Sequence, residues 1–230
     1  MPVIEVDGVT HVYGEAASER VVLNEVTVTL DEPRIGVIGA NGSGKSTFVR
    51  LINGLIIPTR GKVRVDGRDT TKDGREIRRR VGFCFTDPDA QIVMPTVRED
   101  IAFGLRRRGL SKTAVAARVD AALETYGLDQ HADHPAHLLS GGQKQLLALA
   151  SVLVTEPDTL VLDEPTTLLD LRNAAMVAAL VRRLGQQVIL VTHHLDLLHD
   201  FDRVIVFDDT SLVFDGSAPE ATDFYRRLMA

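Results

Sequence analysis

The sequence has a single cysteine and no long apolar run, and each scarcity restricts what the protein can be. Cys84 cannot form a disulfide within one chain, which fits a reducing compartment. No apolar run approaches the roughly 18 residues that span a bilayer. Glu5 and Asp7 interrupt any apolar segment near the amino terminus, so we expect no signal peptide. Any role at a membrane would then depend on a partner.

The chain also has fewer positive than negative side chains. The chain has 26 lysines and arginines against 32 aspartates and glutamates, a formal net charge of −6, which argues against general binding to nucleic acid. Arginine runs at residues 78–80 and 106–108 are local exceptions. Each is typical of a solvated helix face, with contact to a partner or to lipid headgroups as the alternative. The 230 residues, 44% of them hydrophobic, predict one soluble globular domain without linkers or internal repeats.

A glycine-rich loop is the strongest functional signal. An apolar strand at residues 35–38 ends at Gly39, and the loop closes with Lys45 and Ser46 before a helix at residues 47–54. This is the G-x-x-x-x-G-K-[ST] pattern between a strand and a helix, as the motif requires. Backbone N–H groups of such a loop surround a phosphate, the lysine reaches the β- and γ-phosphates, and the serine can bind Mg²⁺. The alternative is a tight turn with an exposed lysine.

Two further stretches suit a nucleotide. Ser140, Gly141 and Gly142 open a helix, where hydroxyl, free N–H groups and helix dipole could bind an anion, although a plain helix cap is the default for such a stretch alone. Asp163 and Glu164 end a buried strand, so the first can hold Mg²⁺ and the second can polarise an attacking water. A strand followed by an acidic turn is the alternative.

Histidine and tyrosine side chains lie at the ends of two predicted strands. His193 and His194 follow a buried strand at residues 187–192, and one of them can contact the γ-phosphate or the water. Tyr13 precedes Gly14 at the end of a strand and could stack on a nucleotide base, although an edge-strand role is commoner for a lone tyrosine.

Turn dipeptides and a change of pattern organise the rest. Asp7-Gly8 predicts a turn between two short strands, and Asp66-Gly67 predicts a hairpin. Residues 87–155 read as helical, with no clear strand. Three histidines in this region are spaced three apart: His131, His134 and His137. They have no evident fourth ligand, which argues against a metal site.

Four stretches, in their order along the chain, resemble the motifs of the ATP-binding-cassette ATPases: residues 39–47, 139–143, 160–164 and Thr192-His193. The likeness covers nearly the whole chain, and the Leu-Ser-Gly-Gly-Gln signature at residues 139–143 separates this family from other P-loop ATPases. It implies an α/β fold, a P-loop NTPase core with an antiparallel β edge and an inserted α-helical subdomain.

The same resemblance predicts the domain organisation. We expect one ATP-binding domain over residues 1–230, with the P-loop core at residues 1–86 and 156–230 and the helical subdomain at residues 87–155.

The resemblance also implies roles for residues. Tyr13 would stack on adenine, Asp163 would help Ser46 to bind Mg²⁺, Glu164 would be the general base and His193 the switch histidine. The ATP phosphates would be held by the loop residues Gly39, Asn41, Gly42, Ser43, Gly44, Lys45, Ser46 and Thr47.

A dimer is part of the implied mechanism. Ser140, Gly141, Gly142 and Gln143 would act on ATP held by a second protomer, identical or different, and Asp170 would be the D-loop residue between them. Closure over two ATP molecules would move the helical subdomains, and hydrolysis would reopen them.

Thr86 departs from the family pattern. Related proteins carry a glutamine there that touches Mg²⁺ or the water and links the site to the membrane partner. Threonine keeps a hydroxyl with a shorter reach, so we expect slower hydrolysis or looser coupling with ATP binding retained. Gln91 does not obviously substitute, because related proteins carry that glutamine too.

Residues 85–104 look like the ATPases of energy-coupling-factor importers for vitamins and cobalt or nickel ions, and the short chain is similar to the biotin-type ATPase. This implies a transmembrane coupling subunit, a membrane substrate-binding subunit and a peripheral position on the cytoplasmic face. The alternatives are an ATPase for another solute, a soluble repair or translation ATPase, and a nucleotide switch that does not hydrolyse ATP. The stretch between Lys45 and Ser140 is too short for the coiled coil of repair members, and translation members usually carry two cassettes.

Overall fold

The computed structural model describes residues 1–14, 18–106 and 108–230. The strands are β1 Ile4–Tyr13, β2 Arg20–Leu30, β3 Arg34–Gly39, β4 Arg60–Val65, β5 Arg68–Asp69, β6 Val81–Cys84, β7 Thr159–Asp163, β8 Gln187–Val191, β9 Arg203–Asp208 and β10 Ser211–Gly216. The α-helices are α1 Lys45–Ile52, α2 Thr70–Arg80, α3 Val97–Gly104, α4 Lys112–Thr125, α5 Gly141–Leu153, α6 Leu171–Arg182 and α7 Ala218–Leu228.

The chain forms two compact units, of which the first comprises Met1–Val81, Asp158–Asp163 and Gly185–Ala230. It contains an antiparallel sheet of order β2-β1-β4-β5 and the strands β10-β9-β3-β8-β7 of a second, mainly parallel sheet. In β3, the residues from Ile35 to Gly39 are all buried, as expected for a central parallel strand covered on both faces. This arrangement brings the carboxyl ends of β3, β7 and β8 to one edge of the sheet.

An aromatic contact helps to hold α1 on this sheet. The Phe48 ring of α1 lies 4.9 Å from the Phe207 ring of β9, centroid to centroid, and both side chains are fully buried. Burial of one such side chain contributes about 1.5–3 kcal/mol. The start of α1 is therefore anchored by packing further along the helix.

The prediction of a turn at Asp7-Gly8 is wrong. β1 runs without a break through both residues, and Val6 and Val9 pair with Val28 and Val26 of β2. Three steps on β1 thus match two on β2, which is a β-bulge. Gly8 adopts a φ of 55° there and donates its N–H to Thr27 Oγ1 at 2.9 Å.

The Asp66-Gly67 hairpin is confirmed. Val65 and Arg68 pair across it, and the two turn residues have φ values of 48° and 75°. Positive φ at both central residues is the geometry that matches the twist of a two-residue hairpin. Asp66 Oδ1 also accepts a hydrogen bond from Val3 N at 2.9 Å.

Residues 78–80 lie at the end of α2 with Arg78 and Arg79 exposed, and two of the three arginines also have partners within the chain. Arg78 donates to the carbonyl of Gly54 at 2.9 Å. Arg80 pairs with Asp158 at 2.6 Å and with Asp66 at 2.8 Å. In the second run, Arg107 lies outside the described residues, and the Arg106 guanidinium lies 4.9 Å from the Phe103 ring centroid.

The second unit comprises Gly82–Pro157 and Glu164–Leu184. Its core is built around α3, α4 and α5, with fully buried Val97, Ile101 and Leu128 among its members. Cys84 is buried at the end of β6, and burial raises the pKa of its thiol to about 12. The assignment of residues 87–155 as a separate helical subdomain stays a prediction.

Among the described residues, no group of three or more His, Cys, Asp or Glu side chains could hold a metal ion. Within the same residues, every helix is too short or too polar to cross a membrane.

Candidate functional site

The glycine-rich loop connects β3 to α1 and depends on glycine at two points. Gly44 caps α1 with a left-handed φ of 103°, and a Cβ on it would lie 2.5 Å from the Val22 carbonyl oxygen. A Cβ on Gly39 would collide with the carbonyl of Phe207. Any other residue at either position would have to move the backbone that shapes the loop.

Two polar groups of the loop are suited to a phosphate. The buried Lys45 ammonium donates to the carbonyls of Gly39 and Ala40, both at 2.8 Å. The Ser43 hydroxyl is buried and has no hydrogen-bond partner in the described structure. A buried hydroxyl without a partner costs free energy unless something donates or accepts there. Both observations fit a loop that surrounds an anion.

Ser46 and Asp163 lie together, as expected of two groups that bind one cation. Ser46 Oγ donates to Asp163 Oδ1 at 2.9 Å, and Asp163, the last residue of β7, is fully buried. A hydroxyl and a carboxylate are oxygen ligands of the kind that Mg²⁺ prefers. This oxygen pair therefore fits the implied Mg²⁺.

Arg50, to which no sequence motif pointed, is a third member of this cluster. Its Nη2 lies 3.4 Å from Asp163 Oδ2, with the side chain 39% exposed. Ser46 and Arg50 are four residues apart on α1, so they share one face of the helix. That spacing is the signal by which Arg50 could have been found.

His193 follows β8, which pairs with β3 in parallel register through Val37 and Val191. The loop after β8 therefore leaves the sheet at the same edge as the glycine-rich loop. Thr192 donates its N–H to the carbonyl of Val37 at 3.2 Å, and the exposed His193 ring lies against the His194 ring with 4.1 Å between centroids and an interplanar angle of 39°. This position is consistent with the expected role at the γ-phosphate, which stays a prediction.

Tyr13 ends β1 and is 42% exposed as a residue. The ring packs edge-on against His11 at 4.6 Å between centroids. His11 is itself buried, and burial lowers its pKa, so a neutral imidazole supports the tyrosine from inside the sheet. The exposed face of Tyr13 remains available for the predicted stacking on adenine.

Arg20 was also missed. It lies opposite Tyr13 in the pairing of β1 with β2, and one guanidinium nitrogen lies 3.7 Å from the point that a Cβ on Gly42 would occupy. A guanidinium beside a phosphate-binding loop can donate two parallel hydrogen bonds to a phosphate. Only strand pairing brings Arg20 to the loop, so no sequence signal could have shown it.

We expect Arg20→Ala to raise the Kd for ATP about three- to tenfold, because an exposed charge contributes modestly to phosphate binding. Titration with a fluorescent ATP analogue measures this effect. Arg68→Ala, which removes an exposed arginine of β5, is the matched control and should bind as the parent does. Equal affinity of the two variants would remove Arg20 from the site.

In the second unit, Ser140 caps α5. Ser140 N donates to Gln143 Oε1 at 2.9 Å, and Gln143 N donates to Ser140 Oγ at the longer distance of 3.4 Å. This reciprocal pair is a capping box. It leaves the N–H groups of Gly141 and Gly142 at the positive end of the helix, where an anion binds favourably.

Asp170 lies beside this cap within the same unit. It caps α6 by accepting the Asn173 N–H at 2.8 Å, and a Cβ on Gly142 would collide with the Asn173 side chain. Gly142 is therefore needed for close contact between the start of α5 and the start of α6. The structure brings the predicted signature and D-loop residues together.

Glu164 follows Asp163 directly and has a φ of 51°, which is rare for a residue with a side chain. Thr167 Oγ1 donates to Glu164 Oε2 at 2.8 Å. Backbone strain of this kind costs about 1–3 kcal/mol and is concentrated at functional sites. The geometry is consistent with a carboxylate held in a fixed direction.

Thr86 is half-buried after β6. It stands where related proteins carry a glutamine, and the nearby Gln91 is bonded elsewhere. Gln91 Oε1 accepts from Phe85 N at 3.1 Å, and Gln91 Nε2 donates to the carbonyl of Ala148 at 3.0 Å. Both ends of that amide are thus bonded within the unit. Gln91 holds the segment after β6 to α5.

We expect Thr86→Gln to raise the ATPase rate about two- to tenfold, which corresponds to roughly 0.4–1.4 kcal/mol in the barrier. The glutamine side chain is longer, so its amide would extend further from the backbone than the threonine hydroxyl does. Steady-state phosphate release and coupled transport measure the two consequences. If Thr86→Gln leaves both unchanged, the threonine is not a handicap.

The fold and the loop define a P-loop nucleotide-binding protein. Comparison with known proteins identifies the family within this class. The profile of the ABC transporter family matches residues 23–167. An inferred ABC transporter ATP-binding protein of Deinococcus radiodurans is 54% identical, with 98% of each chain covered. The biotin transport ATP-binding protein of Rhizobium etli is 49% identical over 94% of this chain and 96% of its own. An energy-coupling factor transporter ATP-binding protein of Symbiobacterium thermophilum is 42% identical over 95% and 80%.

Solved structures agree. The cbiO1 protein from Clostridium perfringens, part of the ABC transporter complex cbiONQ, superposes with a TM-score of 0.82 at 30% identity, over 96% of this chain and 90% of its own. A dimeric ATP-binding cassette bound to ADP and phosphate superposes with a TM-score of 0.83 at 27% identity, over 94% and 98%.

The chain belongs to the ABC transporter family. It has the expected ABC ATPase fold, with a P-loop core, an antiparallel β edge and a helical part. Members of this family bind and hydrolyse ATP to power transport, and their cassettes work as dimers. The predicted fold class, family and ATPase activity are thereby confirmed, whereas the roles of individual residues are still predictions.

Proposed function

We propose that this protein is the ATP-hydrolysing subunit of an energy-coupling-factor importer, with biotin as its substrate. The observation that carries the proposal is the 49% identity to a biotin transport ATP-binding protein over 94% of the chain. The relatives named for energy-coupling factor transport and the cbiONQ complex support the importer class. A cobalt or nickel ion is the alternative cargo.

Binding of ATP at the loop follows from the charges and donors there. Lys45 neutralises the β- and γ-phosphates, and the Ser43 hydroxyl together with the loop N–H groups donates to phosphate oxygens. Ser46 and Asp163 would hold Mg²⁺, which supplies charge neutralisation between the phosphates when bound. Tyr13 stacks on adenine, and Arg20 lies beside the phosphates.

Hydrolysis is a displacement at the γ-phosphorus. Water attacks, the bond to the β-phosphate oxygen breaks, and ADP and inorganic phosphate leave. Glu164 accepts the proton of the attacking water, and His193 holds the γ-phosphate in line. The strained backbone of Glu164 fixes the direction from which the proton is accepted.

The second ATP contact comes from another protomer. Ser140 and the N–H groups of Gly141 and Gly142 bind the γ-phosphate held by the partner chain, with Asp170 beside them. Each chain carries a complete set of both halves, so a symmetric dimer is sufficient. Closure over ATP and reopening after hydrolysis would drive a membrane partner at the cytoplasmic face.

Purification of the tagged protein from detergent-solubilised native membranes tests the importer class. We expect a transmembrane coupling subunit and a small substrate-binding membrane protein to copurify. An ordinary pair of permease subunits would contradict the energy-coupling-factor assignment. The absence of any membrane partner would favour a soluble ATPase of the same family.

Uptake of radiolabelled biotin by cells lacking the chromosomal gene tests the cargo. Expression of the parent chain should restore uptake, whereas the Lys45→Ala variant should not. Restored uptake of cobalt or nickel but not of biotin would overturn the assignment of biotin as the substrate, and the importer class would stand.

A further inference from the structure

A chain of hydrogen bonds leads from the signature helix to two histidines outside it. Gln143 Oε1 accepts from Ser140 N at 2.9 Å, and Gln143 Nε2 lies 2.8 Å from His131 Nε2. The other ring nitrogen of His131, Nδ1, lies 3.1 Å from His134 Nδ1. Four side-chain or backbone groups are thus connected in one line.

Donor and acceptor chemistry fixes the direction of every bond in this line. The backbone N–H of Ser140 can only donate, so the amide oxygen of Gln143 must face it. The amide NH₂ then faces His131 and can only donate, so His131 Nε2 must carry a lone pair. The His131 proton is therefore on Nδ1, from which it donates to His134 Nδ1.

A protonated His131 does not fit the same line. It would present N–H groups at both ring nitrogens, one of them against the NH₂ of Gln143. Turning the amide over would relieve that contact but would set NH₂ against the N–H of Ser140. The capped start of α5 therefore requires His131 in one neutral tautomer.

Charged neighbours do not change this argument, because they have other partners. Lys144 pairs with Asp89 at 2.7 Å, Arg98 pairs with Asp120 at 2.5 Å and with Asp133 at 3.7 Å, and Asp129 accepts from Gln130 at 2.9 Å.

We propose that His131 is a positioning residue for the signature sequence, acting through Gln143 on Ser140. This inference rests on the proposed role of Ser140 in binding ATP. Among the described residues, the Ser140 hydroxyl receives only the long 3.4 Å bond from Gln143 N, so it can turn to a phosphate while the amide of Gln143 keeps its backbone in place. A group held before its ligand arrives needs no reorganisation during the reaction.

Three substitutions at one position separate this role from simple packing. His131→Gln can place an amide oxygen where Nε2 accepts, so it should retain activity. His131→Met fills the space without an acceptor, and His131→Lys offers only donors. We expect the last two to lower kcat for ATP about tenfold, since small misplacements of a positioned group reduce rates by up to about 10²-fold.

Two readouts complete the test. Binding of ATP to the glycine-rich loop, measured with the monomeric protein, should be the same in all variants. His137→Met, which alters an exposed histidine of the same segment, should keep the parent kcat. If His131→Met or His131→Lys retains the parent kcat while folded, or if His131→Gln loses as much as they do, the positioning role is wrong.

Nitrogen-15 NMR of the histidine rings tests the tautomer without any reference to catalysis. We expect His131 in the Nδ1–H form at pH 8, and Gln143→Met should abolish that preference by removing the amide donor that faces Nε2. The Nε2–H form for His131 in the parent protein would overturn the inference. Should the parent protein lack ATPase activity while the Nδ1–H tautomer is present, the proposed function fails and the hydrogen-bond line stands.

Discussion

Replacing Glu164 with glutamine should lower kcat for ATP hydrolysis by a factor of about 10²–10⁴, the usual contribution of a general base. The amide keeps the shape of the side chain and can still accept from Thr167, which donates to Glu164 Oε2 at 2.8 Å. It cannot take the proton of the attacking water. ATP should bind as tightly as before, because the loop groups are untouched. Single-turnover hydrolysis and equilibrium binding of ATP measure the two quantities separately.

Glu156→Gln is the matched control for this prediction. Glu156 also has a left-handed backbone, with a φ of 53°, and forms a surface ion pair with Arg118 at 3.3 Å. The same chemical change there should leave kcat unaltered. If Glu164→Gln turned over ATP at the parent rate, another group would have to be the base.

Replacing Lys45 with alanine should weaken ATP binding about 10- to 100-fold, because a hydrogen bond to a charged group contributes roughly 1.5–3 kcal/mol. The ammonium is held by the carbonyls of Gly39 and Ala40 at 2.8 Å, and this places a positive charge inside the loop. Its removal leaves the phosphates with N–H donors and no lysine cation. Calorimetric titration with ATP measures the loss.

Lys62→Ala removes an exposed lysine of β4 and should bind ATP normally. Adenosine, which lacks phosphates, should bind equally to the Lys45→Ala variant and to the parent. An unchanged Kd for ATP in Lys45→Ala would show that the loop does not hold the triphosphate.

Local sequence patterns predicted the parts of the fold that are set locally. The loop between β3 and α1 was found because glycines, lysine and serine act within eight residues, and the hairpin at Asp66-Gly67 because both turn residues tolerate positive φ. The same reasoning failed at Asp7-Gly8. There β1 is paired on both sides, with β2 and β4, so the long-range pairing turns a potential turn into a bulge.

In the functional site, too, local patterns were predictive and long-range contacts were not. Motif and resemblance pointed to Ser46 and Asp163, which do meet at 2.9 Å. The place of Arg20 and the positioning role of His131 could not be predicted, because strand pairing brings one to the loop and tertiary hydrogen bonds connect the other to α5. The catalytic roles of Glu164 and His193 rest on family resemblance and consistent geometry, and they stay predictions. The same holds for a subdomain boundary at residues 87–155.

Two copies of this chain are expected to close over ATP, each completing the other's site. Light scattering of the Glu164→Gln variant during gel filtration measures this closure, with Ser140→Arg added in the same background as the control. We predict a dimer with ATP, a monomer with ADP, and a monomer with ATP when Ser140 is replaced. A monomer under all conditions, or a dimer indifferent to the nucleotide and to Ser140, would rule out closure of two chains over ATP.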